Sequence, residues 1–144
     1  MFVTVLNKTV AGLEAIPDFK TVDIWQGEIK ELLETPTKLP AAFVIFGRSD
    51  FGLPATIGAT VAPADMLWPV IVMSQNLRDR KSGAVESLGL LMKVVAPANV
   101  PPPQTPGLTR LDTGYGYLWT DSVELISVAK GVAAYGFKFF VRKE

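Results

Sequence analysis

The chain has 144 residues, enough for one domain and too few for two ordinary ones; a chain of this size buries roughly 68–70% of its extended surface, so one core suffices without staples. It contains no cysteine and no histidine, which excludes disulfides, thiolate sites, cysteine nucleophiles and every Ser-His-Asp arrangement, and removes the usual zinc or iron ligand and the usual general base near neutral pH. Its 14 basic and 14 acidic residues cancel, so no global basic field holds nucleic acid by counterion release, and little self-repulsion opposes association. The 49% apolar content argues against disorder. It fits either a well-buried α+β core or a chain whose apolar surface is partly covered by partners.

In chain order, Phe2, Leu6, Val10, Leu13 and Ile16 recur at helical spacing and predict a helix that ends before Pro17. The start lacks a basic segment followed by an unbroken apolar run, so no secretory signal is expected. Thr21 to Trp25 is a short extended candidate. Gly27 to Glu34 predicts a second helix with Ile29, Leu32 and Leu33 inward and Glu28, Glu31 and Glu34 outward, stopped by the prolines of TPTKLP. Ala41 to Phe46 is a continuous apolar run that suits a strand buried on both faces. The Gly, Pro and Thr-rich stretch Gly47–Asp65 reads as a long loop, with two short edge strands around Ala55–Val61.

Leu67 to Ser74 predicts a second apolar strand, with Pro69 near its start or on an edge. A helix follows, capped by Ser82, with Ala84, Val85, Leu88, Leu91, Met92 and Val95 as its apolar stripe and with Glu86 and Lys93 complementing the macrodipole. Ala96–Gly107 is a proline-rich, PPII-like exposed arm. The remainder is β-rich: strands at Leu108–Asp112, Tyr115–Trp119 and Val123–Val128, a tight turn at Ala129-Lys130-Gly131, then a strand in which Tyr135, Phe137, Phe139 and Val141 alternate with Gly136, Lys138, Phe140 and Arg142. The longest apolar runs, Ala41–Phe46 and Met66–Met73, fall far short of the ~20 residues that a membrane-spanning helix needs.

No catalytic motif stands out. Asp50-Phe51-Gly52 has no kinase context, Lys81-Ser82-Gly83 lacks the P-loop order, and Gly114-Tyr115-Gly116-Tyr117 precedes no helix and reads as a turn. Glu28, Glu31 and Glu34 share a helix face that is either a hard-cation site or a solvated surface. Arg78, Arg80 and Lys81 form a compact basic turn, open to three readings: an ordinary polar turn, contact with an acidic patch of another chain, or contact with phosphate. Aromatic alternation near the C-terminus fits core packing better than base stacking.

Three segments carry a resemblance: LPAAFVIFG (Leu39–Gly47), WPVIVMSQNLRDRKSGAVESLGLLMKVV (Trp68–Val95) and VAAYGFKFFVRKE (Val132–Glu144). In this order they resemble the Mu-like phage and prophage family of tail terminator proteins. The resemblance implies one α+β domain over residues 1–144, a mixed or antiparallel sheet packed by two or three helices; the long Gly47–Asp65 loop and the proline-rich arm match no pattern of the family. It implies a structural virion protein rather than an enzyme. Such a protein forms a ring, expected to be a homohexamer, that caps the head-proximal end of a contractile tail tube, stops tube polymerisation and joins tail to neck. Implied partners are other copies of itself, the tail tube protein, a neck or head-completion protein and the tail sheath, with no cofactor, no specific nucleic-acid recognition and no membrane. The expected location is the virion, and the host cytoplasm during assembly. Ring assembly needs heterologous interfaces that close after a fixed rotation; Arg78, Arg80 and Lys81, facing Glu28, Glu31 and Glu34 of a neighbour, are candidate interface residues. The rival readings are another neck or tail-completion adaptor, a small carboxylate-based enzyme, and a host-protein binding module that uses the proline-rich arm as a PPII ligand.

Overall fold

The computed structural model describes residues 2–35, 37–51, 64–75, 80–129 and 131–142. Among the described residues three helices and seven strands form an α+β domain: α1 (Phe2–Glu14), β1 (Thr21–Ile24), α2 (Ile29–Glu34), β2 (Ala41–Val44), β3 (Arg48–Phe51), β4 (Ala64–Gln75), α3 (Arg80–Val95), β5 (Leu111–Asp112), β6 (Tyr117–Ala129) and β7 (Val132–Arg142). The sheet order is β1-β2-β4-β7-β6-β5, with β3 also on β4. β1 and β2 run parallel, joined through α2; the other pairings of these strands are antiparallel.

Strand β4 organises the sheet. One edge pairs with β7 over its length, while the other is shared by β2 at Val70–Met73 and β3 at Ala64–Leu67. Pro69 falls at the join, in the strand's middle rather than near its start. It is tolerated because its missing N–H faces the break between β2 and β3, where its carbonyl still accepts from Ile45. β3 takes up the first residues of the expected Gly47–Asp65 loop, whose residues 52–63 lie outside the described residues, and the continuous β6 replaces the separate Tyr115–Trp119 and Val123–Val128 strands. The expected strands around 55–61 lie outside the described residues.

The alternation of β4 sorts its side chains. Met66, Trp68, Val70 and Val72 join α1, α3, Phe137, Phe139 and Val141 in the larger core. Ile71 and Met73 face the other way, with Phe43, Ala134 and Leu32 of α2. β2 is buried along its length, as its unbroken apolar run predicts. Helix α1 forms as expected, but its buried line is Val5, Thr9 and Leu13, with Phe2, Leu6 and Val10 on its flanks. The Thr9 hydroxyl is tolerated there because it donates to the Val5 carbonyl at 2.8 Å.

The proline-rich segment is tied at its base rather than extended: Gly107 donates to Pro97, Ala98 to Thr109 and Thr109 to Ala96, leaving 101–105 as an exposed tip. The β6–β7 hairpin turns through Gly131 at φ 77°, and Gly114-Tyr115-Gly116 is a turn before β6.

Candidate functional site

Chemistry-bearing groups are scattered. Among the described residues no group of three acidic side chains is placed to hold a metal ion. A cleft of about 400 Å³ lies between α3 and the segment before β2 and is lined by Asp18, Lys20, Ser74, Glu86 and Lys93 among others. Two pairs of polar groups there are engaged structurally: Lys93 Nζ bonds Asp18 at 2.7 Å, and the buried Ser74 and Ser87 hydroxyls bond each other at 2.7 Å. These contacts pin α3 to the sheet and to the end of α1.

The sequence-predicted residues divide. Glu28 precedes α2, and Glu31 and Glu34 lie on it; all three are exposed. Glu28 makes no side-chain cap, but its carbonyl accepts from the Trp25 indole N–H at 3.1 Å. Arg78 lies outside the described residues. Arg80 and Lys81 belong to the first turn of α3 rather than to a turn before it, so Ser82 is inside the helix and is not its N-cap, and no acidic residue occupies the first turn. Cations at a helix N-terminus oppose the macrodipole, at about 0.3–1 kcal/mol each.

The feature that sequence reasoning misplaced is the apolar stripe of α3. Gly83, Ser87, Leu90, Leu91 and Val94 face the core, while Val85, Leu88 and Met92 are 64%, 56% and 71% exposed. Glu86, Gly89 and Lys93 occupy the flank toward β2. At 3.6 residues per turn Val85 and Met92 lie opposite the buried line, and Leu88 lies on the side away from Glu86, Gly89 and Lys93.

Strand β6 exposes a matching set. Val123 pairs with Phe137, Leu125 with Tyr135 and Val128 with Ala133. Directly paired residues share a face, so all three stand on the α3 side of the sheet. Yet they remain 42%, 56% and 52% exposed, with no helix among the described residues covering them. Register shifts between Thr120 and Ser122 and between Leu125 and Ser127 produce this alignment. Strict alternation from Leu118 would instead turn Ser122, Glu124 and Ile126 to that face. Gly136 makes room for the second irregularity, since a Cβ there would sit 2.7 Å from Ile126 Cδ1.

A second apolar cluster lies near the other sheet edge. Val3, Ile24 and Phe46 are exposed around a cavity of about 250 Å³ that Phe2 and Trp68 also line. Phe51 is exposed beside it, 6.3 Å from the Phe2 ring. Fully burying one large aliphatic side chain gains about 1.5–3 kcal/mol. Covering the six half-exposed residues on α3 and β6 is therefore worth about 5–10 kcal/mol before association costs.

No family model and no curated protein matches the chain. Among solved structures it is similar to a chain described as "Virion of native gene transfer agent (GTA) particle", at 16% identity, covering 97% of this chain and 91% of that one, with a TM-score of 0.44. No helix among the described residues is long and apolar enough to cross a membrane.

Proposed function

We propose that this protein is a structural virion subunit that works by assembly and not by catalysis: a tail terminator whose homohexameric ring caps the head-proximal end of a contractile tail tube. The observation that carries this reading is the pair of exposed apolar clusters, one on α3 and β6 and one around Phe46 and Phe51. A monomer with zero formal charge and two such surfaces is built to be covered by protein. The three segments that resemble the terminator family coincide with β2, with β4 and α3, and with β7, which are successive strands of the sheet and the helix on it. The partners in this reading are other copies, the tube protein, the neck or head-completion protein and the sheath. Arg78, Arg80 and Lys81 on one copy and Glu28, Glu31 and Glu34 on the next supply electrostatic matching at the contact.

The test adds purified protein to polymerising tail tube subunits under the electron microscope. Tubes of limited length with a ring at one end are expected. Tubes that elongate to the same length with and without the protein would remove the terminator role.

A further inference from the structure

We infer that the outer face of α3 is a two-fold contact in which the helices of two copies of this chain pack antiparallel, so that the free chain is a closed pair. A two-fold contact closes at two copies and does not propagate, so this pairing is separate from the ring proposed above.

Position on the helix defines the face. Val85 and Met92 are seven residues apart, almost two whole turns, so they stand in one line directed away from the buried Leu90 and Val94. Leu88 and Gly89 lie midway between them in height, Leu88 on one side of the line and Gly89 on the other. Glu86 and Lys93 follow on the Gly89 side. Val85, Leu88 and Met92 keep the i, i+3, i+7 spacing with which a helix presents anchors to another surface. Gly89 weakens the helix relative to alanine. Yet the fold makes no demand for it, because a Cβ there would meet nothing within 4 Å. The missing side chain serves an approach from outside.

The pattern is complementary to itself when one copy is reversed. A two-fold axis at the height between Leu88 and Gly89 sets Val85 of each copy against Met92 of the other. It also sets Leu88 against Leu88 and Gly89 against Gly89, where the backbones can come close, since the interaxial distance follows the side chains at the contact. The same axis sets Glu86 beside Lys93 of the other copy, twice, on the common flank. Glu86 is exposed and has no ion pair among the described residues. Lys93 is anchored by Asp18 at 2.7 Å with its side chain 50% exposed, and an ammonium has three donors. A parallel pairing would set Glu86 beside Glu86 and Lys93 beside Lys93. The charges therefore fix the direction of a contact that apolar residues supply. A second copy is the partner that this face matches residue for residue.

The test uses the fact that residue 88 meets its own counterpart. Leu88→Glu and Leu88→Lys each place like charges at the centre of the contact. In sedimentation of the full chain each should weaken pairing at least about 30-fold relative to the parent. Mixed one to one they place opposite charges there, and pairing should return. Leu88 is 56% exposed, so far-UV circular dichroism of both variants should match the parent's. Leu88→Cys gives a measurement independent of those variants. The chain has no cysteine of its own, so mild oxidation should link two copies through residue 88, whereas Gln104→Cys on the exposed proline-rich tip should not link. Charged variants that pair like the parent overturn the inference, as does a mixture that pairs no better than its components. So does a Leu88→Cys variant that links no faster than Gln104→Cys, or a parent chain that stays monomeric at high concentration. Pairing through α3 without tube capping would remove the terminator role and leave this contact standing. Tube capping by a chain that fails the mixing test would do the reverse.

Discussion

At the scale of residues, the buried polar groups show what fixes α3 in place. Ser74 on β4 and Ser87 on α3 are 6% and 3% exposed, and their hydroxyls meet at 2.7 Å. Removing one partner strands the other, at about 1–3 kcal/mol, whereas removing both takes away the demand. Ser87→Ala alone should lower stability by about 1 kcal/mol, and Ser74→Ala with Ser87→Ala should cost no more than the single change, as read by urea denaturation. Trp68 carries the opposite case: its Nε1 is buried without a partner among the described residues. Its size still makes it a keystone of the larger core, packed 5.2 Å from the Phe46 ring. Neither serine announced itself in the sequence. A serine within an apolar helix pattern looks like a surface position, and its hydrogen bond exists only once β4 lies beneath it.

At the scale of elements, the longer pieces were legible and their orientation was not. β2 and β7 follow from an unbroken apolar run and from strict alternation, because those patterns allow one burial arrangement. Helix α3 was legible as a helix, but Val85, Leu88 and Met92 are as well spaced for a core as Leu90, Leu91 and Val94. With apolar residues on both sides, periodicity cannot say which side meets the sheet. The expectation that Val85, Leu88 and Met92 face inward was wrong: all three are exposed. The proline-rich segment shows a comparable dependence on packing. Its closed base brings Gly107 against the backbone, where a Cβ would lie 2.6 Å from the Lys93 carbonyl oxygen. Gly107→Ala should therefore lower stability by about 1–3 kcal/mol, visible as a drop in melting temperature, because carbonyls of the α3 terminus cannot move aside as a side chain could.

At the scale of the whole molecule, monomer stability and assembly should separate. Charge reversal at Arg78 and Arg80 removes a cation from the first turn of α3, where Arg80 opposes the helix dipole. The variant with Arg78→Glu and Arg80→Glu should thus melt no lower than the parent as a monomer, yet assemble more weakly in sedimentation at moderate salt. Ring formation unchanged by the reversal would discard the electrostatic part of the contact. The sequence by itself determined that this protein is a single α+β chain without thiol or imidazole chemistry, since composition removes those groups outright and periodicity marks most of the elements. It also pointed toward assembly through a family resemblance. Only the tertiary structure decided which apolar residues the fold consumes and which it leaves over. Burial depends on where β4 and β7 place α3, and on two irregularities in β6 that turn Val123, Leu125 and Val128 to one face. Those choices are set by contacts between segments far apart in the chain, and no local pattern records them.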